Sequence, residues 1–301
     1  MAKLTNKYGL PQTIMNYANR NTYSRGNANI SVTQLIGSPR VRMMTQKHQD
    51  EITEDVSDRL WAIIGSALHE VVEKGADDEH QAEERLFIEQ DGWRISGGID
   101  LQSMTLDEDG TRTCAISDYK LTSTFNVMNP KPDWERQLNC YAHLVRKVKG
   151  FEVKRLSINA IMRDWMRARA KTDSNYPPAP MQVIEIPLWS PEAAEQYFNE
   201  RVKTHKESEA LMDWNDPPEC SAEERWYSPG QLAVIKDGRK RALKLFDPEQ
   251  KDEAEEYAKE NKATVVERPG QNKKCAEFCA VSEWCSQWQA IKQKEVCDEG
   301  V

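Results

Sequence analysis

Hydrophobic and polar positions alternate most clearly between residues 93 and 121, where the chain predicts two strands joined by a turn. The apolar face of the first strand contains Trp93, Ile95, Gly97 and Ile99. Asp100 falls on its polar face, and in the second strand Asp118 and Lys120 share a face. The segment 107–110, Asp-Glu-Asp-Gly, is a typical hairpin turn. A turn centred near Asp109 would place Asp100 opposite Asp118.

Two stretches with helical spacing flank this hairpin. Residues 61–74 predict an amphipathic helix that carries His69 beside its buried side. We expect that buried side to contain Trp61, Ile64, Leu68, Val71 and Val72. A second helix is predicted from Trp134, after two prolines, and it places Gln137 and Tyr141 on one face because they are four residues apart.

The remaining patterns divide the chain into three expected regions. Residues 1–29 lack clear periodicity and are interpreted as an N-terminal arm. Residues 30–215 contain the hairpin, further strands at 85–89, 151–161 and 181–188, and a helix at 191–214. Asp216-Pro217-Pro218 marks the boundary to a Cys-rich module at 216–301, with a predicted hairpin at 231–246, a helix at 249–261 and a strand at 263–267.

The hairpin is the first candidate for chemistry. Two carboxylates and the Lys120 ammonium that converge within a few ångströms are costly unless a cation lies among them. Hard oxygen ligands suit Mg²⁺ or Mn²⁺, and a nearby lysine can serve the attacking water in phosphodiester cleavage. Gly97 and Gly98 would let a nucleic-acid backbone approach closely. The alternatives are an exposed strand face with an incidental ion pair and, for His69, a buried core residue.

The order of these motifs resembles that of the RecB-type branch of the PD-(D/E)XK nuclease superfamily, over roughly residues 30 to 146. The matching residues are His69, Gly97-x-x-Asp100, Asp118-x-Lys120 and Gln137-x-x-x-Tyr141. The resemblance implies an α/β, restriction-endonuclease-like core with a mixed sheet flanked by helices. It also implies the metal ligands His69, Asp100 and Asp118. Lys120 would be the catalytic lysine, and Gln137 and Tyr141 would position the DNA end or the lysine.

Cysteines predict a second metal site near the C-terminus. Of seven cysteines, three follow the spacing Cys275-x3-Cys279-x5-Cys285, and an intervening hairpin and helix bring Cys220 back towards them. Four thiolates suit Zn²⁺ or a 4Fe–4S cluster, although Cys297 is a competing ligand and the cysteines could also be unligated. RecB-like nucleases often finish with such a run. Iron–sulfur members also use a cysteine just before an early Pro-Arg, where this chain has Ser38.

Composition and charge set the cellular context. Without a 20-residue apolar run or a signal peptide, we expect a cytoplasmic protein with no membrane contact, in the host cytoplasm if phage-encoded. The formal net charge of −8 does not exclude DNA binding, because local patches and a metal supply positive charge. Candidate patches are residues 40–42, 163–171 and 236–244, each of which could equally be a solvated face.

These observations predict a Mg²⁺- or Mn²⁺-dependent DNA exonuclease of recombination, repair or phage DNA processing. By resemblance, a single-strand annealing protein or a helicase is a possible partner. A structure-specific endonuclease with the same site and a non-catalytic DNA-binding module are the alternatives. A redox or metal-storage module built on the cysteines would leave the paired acids and Lys120 unexplained.

Overall fold

The computed structural model describes residues 3–20, 26–211 and 217–298, the last four by their backbone only. The helices are α1 (Gln12–Ala18), α2 (Val32–Leu35), α3 (Pro39–Lys47), α4 (Val56–Gly75), α5 (Thr124–Met128), α6 (Pro132–Lys149), α7 (Arg167–Ala170), α8 (Pro191–Ala210), α9 (Lys251–Asn261) and α10 (Ser286–Asp298). The strands are β1 (Lys3–Thr5), β2 (Ile30–Ser31), β3 (Thr53–Asp55), β4 (His80–Gln90), β5 (Trp93–Leu106), β6 (Arg112–Thr122), β7 (Glu152–Met162), β8 (Met181–Ile186), β9 (Tyr227–Ser228), β10 (Gln231–Ile235), β11 (Lys244–Phe246), β12 (Thr264–Arg268) and β13 (Gln271–Asn272).

The chain forms two compact units that are discontinuous in sequence. The first contains the described residues of Met1–Gly37 and Gln49–Met212, and the second contains those of Ser38–His48 and Asp213–Val301. Helix α3 therefore belongs to the second unit, although the sequence analysis placed its residues in the 30–215 core. The predicted helix end at Trp214 and boundary residue Asp216 lie outside the described residues.

The first unit is built on a six-stranded mixed sheet in which β5 pairs with β2, β4 and β6, and β6 is followed by β7 and β8. Strand β4 pairs with β5 along residues 93–103, whereas β2 and β6 pair with different parts of β5, at residues 95–96 and 101–106. Strand β5 is antiparallel to β6, whereas β6 and β7 are parallel. The β5–β6 ladder pairs Leu101 with Ser117, and Gly110 turns the chain with a φ of 82°. This register centres on Asp109, as the turn signal predicted. The α/β class, with a mixed sheet flanked by helices, is confirmed.

Helix α6 packs against this sheet through an apolar stripe that is almost completely buried. Pro132 begins the helix and Gly150 ends it in the left-handed conformation, with a φ of 69°. A Cβ atom added to Gly97 of β5 would lie only 2.4 Å from Leu144 Cδ1 of this helix, and one added to Gly98 would lie 3.2 Å from Arg85 Nη2. The expectation that a nucleic-acid backbone approaches at Gly97 is therefore wrong, whereas Gly98 lines the cleft described below and the expectation for it stays a prediction. At Gly97 the missing side chain admits α6.

Helix α4 does not bury the side that was predicted to face the core. Trp61, Ile64 and Val71 were expected to be buried, but their exposed fractions are 47%, 40% and 66%. Only Val56, in the first turn, is fully buried. Apolar residues cover much of the circumference of this helix, so the pattern alone did not fix which side meets the sheet.

The expected N-terminal arm contains regular structure in its described residues. Strand β1 pairs in parallel with β3, with Lys3 opposite Thr53, and helix α1 follows. This strand and helix were not predicted, because residues 1–29 lack clear periodicity. Residues 1–2 and 21–25 of the arm lie outside the described residues.

The second unit contains α3, α9, α10 and two small sheets. One sheet has the order β11-β10-β12, and α9 packs on it around a separate core. That core contains Leu232, Val234, Phe246, Ala254 and Ala258. The other sheet pairs β9 with β13. Among the described residues of the whole chain, no helix is long and apolar enough to cross a membrane.

Candidate active site

The cleft of the first unit opens where β6 separates from β5. The ladder between them ends at Leu101 and Ser117, while β6 continues beside β7 as far as Thr122. Asp100 and Asp118 are the next positions in this register, just past the last pair. In place of a ladder bond, the backbone N–H of Tyr119 donates to Asp100 Oδ2 over 2.8 Å. The divergence of the two strands thus frees two carboxylates to face the same opening.

The predicted metal ligands, catalytic lysine and positioning residues of the nuclease motifs line this opening, a cleft of about 400 Å³. The predicted residues that line it are His69, Asp100, Asp118, Lys120, Gln137 and Tyr141. Other polar residues along its wall are Ser31, Thr33, Ser66, Glu83, Arg85 and Ser96. Strands β4, β5 and β6 and helices α2, α4 and α6 all contribute, so the cleft depends on the complete fold of this unit.

Asp118 is held between a lysine and an amide. Lys120 Nζ lies 2.6 Å from Asp118 Oδ2, and the lysine side chain is 28% exposed, so its ammonium also reaches the cleft. Gln137 Nε2 donates to Asp118 Oδ1 over 3.1 Å and to the Tyr141 hydroxyl oxygen over 2.8 Å. Gln137 therefore contacts the Asp118 carboxylate directly and Tyr141 contacts Gln137, and the roles that the resemblance implies for them, positioning of the DNA end or the lysine, stay predictions.

Glu83, which was not predicted as a site residue, lies beside His69 and Asp100 in the cleft. Ligand atoms of His69, Glu83 and Asp100 all lie within 4.8 Å of one another, and His69 Nδ1 is 2.8 Å from Glu83 Oε1 and 3.5 Å from Asp100 Oδ1. The backbone of Glu83 is strained, with a φ of 52°, at the one place where the β4–β5 ladder is interrupted. The strand was predicted to begin at Arg85, so Glu83 was assigned to the loop before it. A strand begun at His80 would have placed Glu83 opposite Asp100.

Burial and like charge make the cleft electrostatically unfavourable for its own acids. Desolvation, followed by the nearby Asp118 carboxylate, raises the pKa of Asp100 to about 7. The hydrogen bond to Glu83 raises the pKa of His69, and Asp100 adds to this effect. Burial raises the pKa of Tyr141 well above its usual range, so its hydroxyl stays neutral. Asp118 Oδ2 is buried without a hydrogen-bond donor in suitable geometry, although it faces Lys120.

The four candidate cysteine ligands line one cavity in the second unit. They are Cys220, Cys275, Cys279 and Cys285. Cys220 Sγ lies 3.1 Å from Ser38 Oγ, so its thiol is adjacent to the position before Pro39-Arg40. Burial and the neighbouring thiols raise the pKa of Cys275 to about 11, and burial raises the pKa of Cys220 and Cys279. The side chain of Cys297 lies outside the described residues.

A fully buried arginine borders these thiols. Arg40, in α3, donates from Nε to Cys285 Sγ over 3.2 Å. Its two terminal nitrogens donate to the Pro217 carbonyl oxygen and to Ser286 Oγ. The guanidinium thereby joins α3 to the segments that precede Cys220 and follow Cys285. Residues 40–42 were a candidate surface patch, but Arg40 and Arg42 are both buried.

Comparisons with known proteins do not identify a family. No family model matches the sequence, and no curated protein matches it. Among solved structures, one described as "Crystal structure of SSO0001" has a TM-score of 0.39 and 15% sequence identity, over 64% of this chain and 82% of that chain. Similarity at that level carries no functional argument, so the function has to be argued from the cleft.

Proposed function

We propose that the protein is a Mg²⁺- or Mn²⁺-dependent deoxyribonuclease with a restriction-endonuclease-like core of the RecB type. The observation that supports this proposal is the separation of β5 and β6, which brings Asp100, Asp118 and Lys120 into one cleft. An incidental ion pair on an exposed strand face would not need a buried Asp118, a second buried carboxylate or a glutamine that holds the first.

The acids of the cleft fit a divalent cation. Burial and the Asp118 charge raise the pKa of Asp100, and a divalent cation bound between the two carboxylates would offset both effects. Asp118 Oδ2 already lies 2.6 Å from Lys120 Nζ, so a metal would share that carboxylate with the lysine. Glu83 and His69 are further candidate ligands beside Asp100. Imidazole suits Mn²⁺ better than Mg²⁺, so the ligand set favours use of both ions.

The side chains of the cleft divide the chemistry of hydrolysis. A divalent cation bound here would supply Lewis-acid polarisation of the phosphodiester and a more acidic water. The Lys120 ammonium can orient that water or stabilise charge on a phosphate oxygen. Gln137 is a positioning residue, because it fixes the orientation of the Asp118 carboxylate and is itself hydrogen-bonded to Tyr141. Arg85, which also lines the cleft, offers a second cation for the phosphate backbone.

A digestion assay tests the proposal. The purified protein would be incubated with linear duplex, linear single-stranded and closed circular DNA in Mg²⁺, Mn²⁺ or EDTA. We expect degradation of linear DNA that requires metal and falls by about 10²-fold or more in Lys120→Met. Lys203→Met, on the exposed surface of α8, is the matched control. Cleavage of circles would favour the endonuclease alternative, and a folded protein that binds DNA but cleaves no substrate would contradict both.

We further propose that the second unit holds a metal cofactor on its four cysteines, as a 4Fe–4S cluster. Tetrahedral zinc, with Zn–S bonds of about 2.3 Å, requires sulfurs about 3.8 Å apart. Among the side chains that the structure describes, no three of these thiols come within 4.8 Å of one another. A larger cluster fits that spacing better. The buried guanidinium of Arg40 beside Cys285 suits the net negative charge of a four-thiolate site, which zinc and a 4Fe–4S cluster share.

Anaerobic purification followed by iron, sulfide and zinc analysis and a visible spectrum tests this assignment. We expect iron, sulfide and a broad visible absorption that are lost in Cys279→Ser. Cys114→Ser is the matched control, since Cys114 is a packing residue buried in the first unit. Stoichiometric zinc in a colourless protein would contradict the cluster, and a metal-free protein that keeps its fold would contradict both cofactors.

A further inference from the structure

The most strongly basic segment of the chain is residues 236–244, here called the basic hairpin. It consists of the loop between β10 and β11 and the first residue of β11. Its cations are Lys236, Arg239, Lys240, Arg241 and Lys244. Asp237 is its single acid, so five positive charges minus one negative charge give +4 in nine residues, in a chain whose net charge is −8. All five cations are exposed. The segment is therefore a local reversal of the overall charge.

The basic hairpin is held by a small core of its own. Strand β10 is the central strand of its sheet, and Leu232 and Val234 on it pack against Phe246 of β11 and against α9. The turn is closed by Arg239 N–H to the Lys236 carbonyl oxygen at 3.0 Å and by Leu243 N–H to the Val234 carbonyl oxygen at 2.8 Å. The cations are thus presented on a defined turn, with both ends anchored in a sheet.

Nothing among the described residues neutralises this charge. Several surface cations elsewhere are paired, as in Lys147–Glu195, Arg155–Glu185 and Lys203–Glu207. Within the described parts of the chain, no cation of the basic hairpin lies within 4.0 Å of a carboxylate, although α9 in the same unit carries several acids. Among the described contacts of these five cations, Lys244 alone has partners of another kind, since its ammonium lies 4.4 Å from the centre of the Phe246 ring and 5.3 Å from that of Tyr257. Like charges left together repel one another, and a polyanion would relieve that repulsion.

We propose that the basic hairpin is a DNA-backbone contact that lies outside the catalytic cleft and raises affinity for long substrates. This inference rests on the proposed function, because it takes DNA as the polyanion. Exposed lysines and arginines that contact phosphates do not read the bases, so this contact is independent of sequence. It weakens with salt because counterions compete for the phosphates. The affinity of a duplex falls with salt by a logarithmic slope of about 0.9 for each phosphate contact.

Equilibrium binding tests the proposal with the full-length protein in EDTA, where no cleavage occurs. A fluorescent linear duplex would be titrated at salt concentrations from about 50 to 200 mM, a range in which phosphate contacts dominate the change in affinity. The test variant carries Lys236→Gln, Arg239→Gln, Lys240→Gln and Arg241→Gln. The control variant has the same change in charge at paired cations: Lys147→Gln, Lys154→Gln, Arg155→Gln and Lys203→Gln. All eight side chains are exposed, so both variants should unfold at the wild-type urea concentration.

We expect the test variant to lose at least about tenfold in affinity at low salt and to have a salt slope smaller by about 2 to 4. The control should change the slope by less than about 1. Equal slopes in the two variants, or a wild-type affinity that does not depend on salt, would overturn the proposal. Should the test variant unfold early, the double variant Lys240→Gln, Arg241→Gln is expected to show about half the change in slope, and an unchanged slope in it would overturn the proposal.

Digestion of a short and a long substrate separates this inference from the proposed function. With a single-stranded tetranucleotide, which offers few phosphates beyond those at the cleft, the test variant should cleave at the wild-type rate. With long duplex it should need at least about tenfold more DNA for half-maximal rate, in line with its weaker binding. A wild-type protein that cleaves nothing but still loses salt-dependent binding in the test variant would contradict the nuclease and leave the DNA contact standing.

Discussion

Replacing Asp100 with asparagine should make the metal-free protein more stable at pH 8. Asp100 is 8% exposed, and burial together with the Asp118 charge raises its pKa to about 7. Asparagine has nearly the same shape, and its carbonyl oxygen can keep the hydrogen bond that Tyr119 N–H donates over 2.8 Å. The substitution therefore removes a buried charge and preserves the local packing.

The size of the effect follows from the change in pKa between the folded and unfolded chains. An aspartate in an unfolded chain has a pKa of about 3.9. Folding raises the pKa of Asp100, so the folded protein is relatively more stable when this carboxyl is protonated. That stability is fully present below about pH 4 and is lost as the pH rises through about 7. Each pKa unit corresponds to about 1.4 kcal/mol, which gives a loss of roughly 4 kcal/mol at pH 8. Asparagine does not titrate. The variant should be more stable than the wild type by about 2 to 4 kcal/mol at pH 8, and within about 1 kcal/mol at pH 4.5.

Urea unfolding in EDTA at the two pH values measures this difference. Asp78→Asn, at an exposed position of the same unit, is the matched control and should change stability by less than about 0.5 kcal/mol at either pH. Excess Mn²⁺ at pH 8 should reverse the order, because the metal stabilises the wild type through a ligand that the variant lacks. A variant less stable than the wild type at pH 8 in EDTA would refute the claim that the cleft disfavours its own carboxylates.

Two further tests address packing, one in each unit, and each compares a substitution with a control substitution. Gly97→Ala should cost about 1 to 3 kcal/mol in urea unfolding, because its methyl group would lie 2.4 Å from Leu144 Cδ1. Gly65→Ala, whose methyl group meets nothing within 4 Å, should gain up to about 1 kcal/mol, and equal losses at both would contradict the packing argument. Arg40→Met should destabilise the second unit by about 2 to 4 kcal/mol in thermal unfolding, since it leaves the Pro217 carbonyl oxygen unpaired. Arg40→Lys should not restore that loss because an ammonium lacks the planar fork, and a fully stable lysine variant would argue against that role.

The position of Asp100 opposite Asp118, one step past the last ladder pair, could be predicted from sequence because the hairpin turn and the strand period fix the register. A turn signal with Gly110 sets the centre of the hairpin, and a period of two then fixes which residues are opposite each other. The contact of Gln137 with Tyr141 follows in the same way from helical spacing. Such features depend on residues close together in the chain.

Features that depend on the tertiary environment were missed. Glu83 reaches the cleft through a left-handed backbone conformation that no periodic pattern encodes. The rotational setting of α4 depends on what the sheet leaves uncovered, so Trp61 and Val71 were assigned to the wrong side. The residues of α3 look like part of the core in sequence, yet Arg40 contacts groups near Pro217 and Cys285. Each of these outcomes depends on residues that the local pattern does not contain.

The discontinuous second unit has a consequence for biosynthesis. Ser38 and Cys220 are separated by 182 positions, and translation at about 5 to 20 residues per second takes roughly 10 to 40 s to cover that distance. Throughout this interval α3, with Met43 and Met44 on its buried face, is outside the ribosome without the segments that cover it. The nascent chain therefore exposes Met43 and Met44 to chaperones while the first unit is still being synthesised. Any metal can be bound by all four cysteines only after Cys285 has emerged.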